Sequence, residues 1–214
     1  MTRAQLKASR ISWRRKRAWR QRRYLAAKRT SDTALQAKWK KLLSEADRMI
    51  ARRTEQLEAS RPLRARAFDV AEGLIGVMEH GGNNRGEMVE KIIRANGGIA
   101  GEPWCGDFVA WCYRAAGSKA VTRAWASVYF LGRIAGVVKI SADDVRRGDI
   151  VRYSFSHTGL FDEWIDRAAG TFKAVEGNTG ASGAVSDSST GGDGVYRKAD
   201  RRLSQVTDFR RVTK

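Results

Sequence analysis

Residues 3–29, RAQLKASRISWRRKRAWRQRRYLAAKR, contain neither glycine nor proline and are rich in arginine and alanine. Nothing there breaks a helix and most of it favours one, so the chain is expected to open on a long helix. Its apolar face is weak: Ala4, Ala8, Ile11, Ala18 and Leu25 share a stripe that Arg15 and Arg22 interrupt, and Trp13, Trp19 and Tyr24 are interleaved with the arginines. Such a helix is either simply solvated or binds a polyanion or an interface. Thr30-Ser31-Asp32 supplies a break and an N-cap. A second helix is expected over 33–60, where Leu35, Trp39, Leu42, Ala46 and Met49 recur at spacings of four and three. A seam of about two heptads does not stand alone. It should pack on the first helix, on a copy of itself or on a partner, and Pro62 ends or kinks it.

Charge divides the 214-residue chain in the same place. The net charge is +18, yet residues 1–66 hold 21 Lys and Arg against 5 Asp and Glu, and residues 67–214 hold 20 against 18. The expected organisation is therefore a basic helical extension, 1–66, and a nearly neutral globular domain, 67–214. The extension should seek an anionic polymer: a wall polymer, a membrane surface or nucleic acid. The basic N-terminus is not followed by an apolar segment of ~7–15 residues, so no signal peptide is expected. No run approaches the ~18 apolar residues of a transmembrane segment. The protein is expected to be made in the cytoplasm.

Beyond residue 67 the pattern changes. Helices are expected over 68–78, 88–95 and 102–116, the last with Pro103 in its first turn and Gly117 as its C-cap. Strands are expected over 149–153, 158–164, 171–176, 194–198 and 206–212, with a Gly/Ser-rich loop over 177–194. Helices first and antiparallel strands later argue for α+β.

Two cysteines make no disulfide framework. On one helix Cys105 and Cys112 would be about 10.5 Å apart, beyond the ~4.4–6.8 Å that a disulfide allows between Cα atoms. Cys112, beside Phe108, Val109 and Trp111, reads as core. Cys105 differs because it opens the helix. A thiolate is stabilised at a helix N-terminus and beside a histidine, and the free N–H groups there can hold an oxyanion. His157, in SFSHTGLF, can be the base. Glu176 or Asn178, in VEGNTG, can fix its tautomer. Each also has a plain reading as core residue, strand histidine or solvated strand end. Two His and two Cys lack zinc-site spacings, and His80 reads as a surface residue or helix cap.

The order WCGDFVAWC, GDIVRYSFSHTGLF, VEGNTG, GVYRK resembles the CHAP family of cysteine, histidine-dependent amidohydrolases and peptidases, and LIGVMEHGGNNRGEMVEKII resembles its first helices and Asn-Arg-Gly loop. The resemblance covers about residues 67–214. It implies a papain-like fold shared with the NlpC/P60 peptidases, with Cys105 as nucleophile, His157 as general base, Glu176 as third member and Asn178 as a supporting polar residue. Trp104 would line the groove beside the nucleophile, with Asn84 in the substrate-binding loop. Gly106-Asp107 fits the family pattern loosely. Some members carry an Asp-rich calcium loop before the cysteine; Asn83-Asn84-Arg85-Gly86 stands there instead, so no metal and no cofactor is expected. The implied activity is cleavage of an amide bond in bacterial peptidoglycan by a phage lysin, either an endolysin or a virion-associated hydrolase. Residues 1–60 would then bind an anionic polymer or dock onto phage tail proteins. The competing expectation is a structural virion component whose basic arm binds nucleic acid or a partner.

Overall fold

The computed structural model describes residues 1–120, 133–180 and 193–214, and the chain divides into two compact units, Met1–Arg61 and Pro62–Lys214. The boundary expected between 66 and 67 lies at Pro62, because a helix of the second unit already begins at Leu63. Among the described residues the architecture is α+β, with five α-helices followed by a six-stranded antiparallel sheet.

The first unit is a helical hairpin. Helix α1, Arg3–Arg29, starts with a reciprocal cap: the Thr2 hydroxyl accepts from the Gln5 N–H, and the Thr2 N–H donates back to the Gln5 side chain. The chain reverses at Ser31, which adopts a left-handed φ of 58°. Asp32 then caps helix α2, Thr33–Ala59, by accepting from the Leu35 N–H at 2.8 Å. The two helices pack on each other: Trp19 meets Trp39 edge-on at 5.3 Å, Arg17 pairs with Asp47, and Arg20 with Glu45. The buried residues are Leu6, Ala27, Leu43, Ala46 and Leu57. The weak stripe Ala4, Ala8, Ile11, Ala18, Leu25 is exposed throughout. The side of α1 that packs carries larger groups, Leu6, Trp13, Arg20 and Tyr24, whose stems and rings cover more apolar area than alanines can.

In the second unit, helix α3 runs Leu63–Gly73, earlier than the 68–78 expected. Pro62 starts this helix as well as ending the previous one, since its fixed φ, here −52°, suits the position before a first turn. Helices α4, Glu87–Ala95, and α5, Cys105–Ala115, follow. The strands are β1 (Val137–Ile140), β2 (Ile150–Tyr153), β3 (Thr158–Asp166), β4 (Thr171–Thr179), β5 (Gly194–Arg202) and β6 (Val206–Val212), in the spatial order β1-β6-β2-β3-β4-β5. Strand β1 was not expected; with four residues and an exposed Val138 it carries little pattern.

Alternation along the strands builds two apolar layers. Ile150, Leu160 and Val175 face the helices, where Phe68, Ile92, Ile93, Phe108, Val109 and Tyr113 are fully buried. Their neighbours Val151, Phe161 and Ala174 face the other way, with Phe172 and Phe209. There Phe161, Trp164, Phe172 and Phe209 meet with centroids 5.3–6.4 Å apart, mostly edge-on. Such pairs contribute about 0.5–1.5 kcal/mol each beyond burial.

Candidate active site

Cys105 is the first residue of α5, and Trp104 is its N-cap. The first helical N–H groups there have no carbonyl one turn behind them. The segment entering the helix is held by one carboxylate. Glu79 accepts from the Trp104 indole N–H at 2.9 Å and from the Asn84 backbone N–H at 2.7 Å. The Asn84 amide in turn donates to the Gly101 carbonyl at 3.1 Å. The loop before α4 thus braces the turn that carries the cysteine.

This settles the place of two expected substrate-binding residues. Trp104 has no exposed surface and its indole N–H is bonded to Glu79, so it is core and does not line a groove. Asn84 is 3% exposed, holds φ at 56°, and pins one loop to another. It does not reach solvent. Both are buried because the loop preceding α4 folds back over the start of α5, an approach between distant segments that local spacing does not encode.

Two glycines bring the sheet to the cysteine. A Cβ on Gly177 would sit 2.6 Å from the Phe108 ring and 2.8 Å from Trp104, so its absence lets β4 press against the first turn of α5. A Cβ on Gly159 would sit 2.5 Å from Cγ of Glu176, so the gap it leaves is the path of the Glu176 side chain. His157, just before β3, is 3% exposed and Glu176 is fully buried. The imidazole Nε2–H donates to Glu176 Oε2 at 2.9 Å. Nδ1 has no hydrogen-bond partner of good geometry among the described residues, and it is the nitrogen left for the Cys105 thiol. Burial alone would lower the pKa of the imidazole; the interactions with Cys105 and Glu176 outweigh it and raise it to about 9. At neutral pH His157 therefore carries its proton.

Glu176 is held from three further points. The Tyr153 hydroxyl donates to Oε1 at 2.6 Å, Arg201 Nε donates to Oε1 at 2.8 Å, and Arg201 Nη2 donates to Oε2 at 2.5 Å. Burial would raise the pKa of this carboxyl, but His157 and Arg201 hold it down at about 2. Rings stack around it: Tyr153, Phe155 and His157, two residues apart in sequence, lie nearly parallel with centroids 5.0–5.9 Å apart. The Arg201 guanidinium covers Tyr153 and Phe155. Removing one member of a buried pair such as Arg201 and Glu176 costs about 3–5 kcal/mol, because the other charge is left without compensation.

Asn178 is 1% exposed with a left-handed φ of 56°, and neither of its amide atoms has a hydrogen-bond partner among the described residues. It makes no bond to the imidazole, whose Nε2 belongs to Glu176. Cys112 is fully buried and free, its thiol pushed far up by burial, which makes it inert. A cleft of about 460 Å³ lined by Met78, His80, Glu87 and Lys91, among others, contains none of Cys105, His157 and Glu176. Sequence reasoning missed Tyr153 and Arg201. Tyr153 stands two and four residues before Phe155 and His157, a period-2 signal for a shared face. Arg201 lies among basic residues in RKADRR and gives no signal.

No family model matches the chain, and no curated protein and no solved structure matches it. What the site can do therefore rests on its own geometry. It joins a thiol at a helix start, an imidazole that is cationic at neutral pH, and a carboxylate that stays ionised across the physiological range. That set suits nucleophilic attack on a carbonyl followed by proton delivery to the leaving group.

The hairpin presents a different surface. Helix α1 carries 12 Lys and Arg and no Asp or Glu. Its aromatics lie under cations: Lys16 and Arg20 over Trp13, Arg23 over Trp19 and Lys28 over Tyr24, with separations of 4.7–5.7 Å. Among the described residues no helix is long and apolar enough to cross a membrane.

Proposed function

We propose that this protein is a peptidoglycan hydrolase of the phage-lysin type, a cysteine amidase or endopeptidase with a papain-like fold of the CHAP kind. The observation that carries the reading is the single buried cluster in which His157 stands between Cys105 and Glu176. The resemblance of the surrounding sequence blocks to CHAP enzymes supplies the substrate class.

In this mechanism the Cys105 thiolate attacks an amide carbonyl of the stem peptide, the crossbridge or the N-acetylmuramoyl–L-alanine bond. The carbonyl oxygen takes up negative charge, which the N–H groups of the first turn of α5 stabilise. The His157 imidazolium gives its proton to the leaving nitrogen, the C–N bond breaks, and a thioester remains. Neutral His157 then takes a proton from water as the water attacks the thioester. The acid leaves and the thiolate–imidazolium pair is restored. Glu176 stays ionised throughout and keeps the imidazole oriented. Residues 1–60 concentrate the enzyme on an anionic wall polymer through the exposed cations of α1.

Turbidity loss of purified Gram-positive walls, with wild type beside Cys105→Ala and His157→Ala, tests this. Clearing by wild type alone supports it, and mass spectrometry of the fragments names the bond. Clearing that persists in Cys105→Ala removes Cys105 as nucleophile. No clearing by wild type favours the second reading, a virion component whose basic arm binds nucleic acid or phage tail proteins; the wholly cationic α1 is what recommends it.

A further inference from the structure

We propose that Arg201 is the charge-balancing positioning residue of this site: it lets the buried cluster hold two anions, the Glu176 carboxylate and the Cys105 thiolate, against a single imidazolium. The proposal rests on the cysteine-nucleophile reading above.

The buried charges of the site call for a second cation. Cys105, His157, Glu176 and Arg201 are each no more than 5% exposed. With the thiol ionised, the first three sum to one negative charge, and an uncompensated charge in such a place is strongly disfavoured. Arg201 brings the sum to zero. It does so at short range, with two parallel N–H bonds to both oxygens of Glu176. The other groups that act on it do not replace it. Tyr153 is kept neutral by its burial and by the neighbouring Glu176 charge, and Asp200 is an anion. Arg201 reaches the site from β5, whereas Glu176 comes from β4 and Tyr153 from β2, so the guanidinium also ties the carboxylate to a second strand. Without it the cluster relieves its excess charge by taking up a proton, and the nucleophile is the group that accepts it.

The test needs no substrate. Iodoacetamide alkylates the thiolate, forming a thioether and releasing iodide, and Cys112 is too buried to compete. Alkylation of Cys105 in the full chain is followed from pH 5 to 9 by mass spectrometry, with folding checked by circular dichroism. Arg201→Met keeps length and loses charge; the profile should move up by about one pH unit, a tenfold slower reaction at a fixed pH on its rising limb. Arg201→Lys keeps charge and loses the fork, and should recover most of the rate. A residue that only fills space gives the reverse order, with Met the better replacement, and that result overturns the proposal. Superimposable profiles in all three folded proteins also overturn it. The double variant Glu176→Gln with Arg201→Met removes one charge of each sign and should alkylate faster at pH 6.5 than Arg201→Met; it also serves if the single variant does not fold, where a profile one unit or more above wild type counts against the proposal. Wall clearing measured on the same proteins separates the two claims. Wild type that leaves walls intact while Arg201→Met shifts the alkylation profile removes the wall-hydrolase reading and keeps the role of Arg201. Clearing by wild type with unchanged alkylation profiles removes Arg201 alone.

Discussion

In the hairpin, Arg14, Arg15, Arg22 and Arg23 stand exposed on a helix without a single carboxylate, whereas in the second unit Arg201 is 2% exposed with its fork closed on Glu176. The same side chain does two physical jobs. On α1 the guanidinium groups repel one another and sum to a field that salt screens over about 8 Å at physiological ionic strength. In the sheet they are matched to nearby anions, Arg211 to Asp149 and both Arg152 and Arg210 to Asp208, and their effect stays local. Net charge therefore predicts how the first unit meets other molecules and says nothing of the second, where balance is local.

If the buried cluster holds the nucleophile, Cys105→Ala should lower wall hydrolysis by at least about 10³-fold while leaving the far-ultraviolet spectrum unchanged; a smaller loss would place the chemistry elsewhere. At the exposed pole, binding of the full chain to an anionic polymer should weaken by about 10³-fold or more between 50 and 200 mM salt, as expected for several phosphate contacts. A chain cut to residues 62–214 should lose that dependence and still unfold cooperatively. Salt-insensitive binding would mean that apolar contacts through Ile11 and Leu25 dominate instead.

Asp107 is the exception to local balance, and it gives a smaller, signed effect. It is 1% exposed, and neither carboxylate oxygen has a hydrogen-bond partner of good geometry among the described residues. Burial raises its pKa from 3.8 to about 7, aided by Glu102 and opposed by Asn96 and Arg114. Between those two values the folded state holds a proton that the unfolded chain has lost, so stability falls as pH rises through the window. Asp107→Asn should therefore gain on wild type by on the order of 1–3 kcal/mol at pH 8 and by little at pH 4. Urea unfolding at the two pH values checks this, and an equal difference at both would show that the charge is not the cause. Least of all, Asp32→Ala removes the cap of α2 and should cost about 1 kcal/mol, read as a lower melting temperature of the hairpin.

The sequence spoke clearly where structure is local. Both long helices, the cap at Asp32 and the extent of β6 follow from propensity, capping and alternation within a few residues, whereas α5 starts at Cys105 with Trp104 as its N-cap and leaves Pro103 outside the first turn where it was expected. It was ambiguous about faces. The stripe from Ala4 to Leu25 read as weak and does lie in solvent, but nothing in it pointed to Leu6, Trp13, Arg20 and Tyr24 as the side of α1 that packs. It was silent on long-range closure. His157 and Glu176 were legible from their settings, but the burial of Trp104 and Asn84 follows from the bonds of Glu79 to residues 5 and 25 positions away. Arg201 lies 25 residues beyond the carboxylate it holds and in a run of similar charges, so neither spacing nor composition could single it out.

Both cysteines are free and share α5, seven residues apart on a rigid rod. Oxidation of the Cys105 sulfur to a sulfenic acid would normally be rescued by a second thiol that captures it as a disulfide. Here the other sulfur cannot come within bonding distance while the helix lasts, so the next oxidant carries the site on to a sulfinic acid, from which it does not return. If Cys105 is the nucleophile, activity outside a reducing compartment should fade at a rate set by the ambient peroxide level, and a small external thiol in the medium should slow that loss.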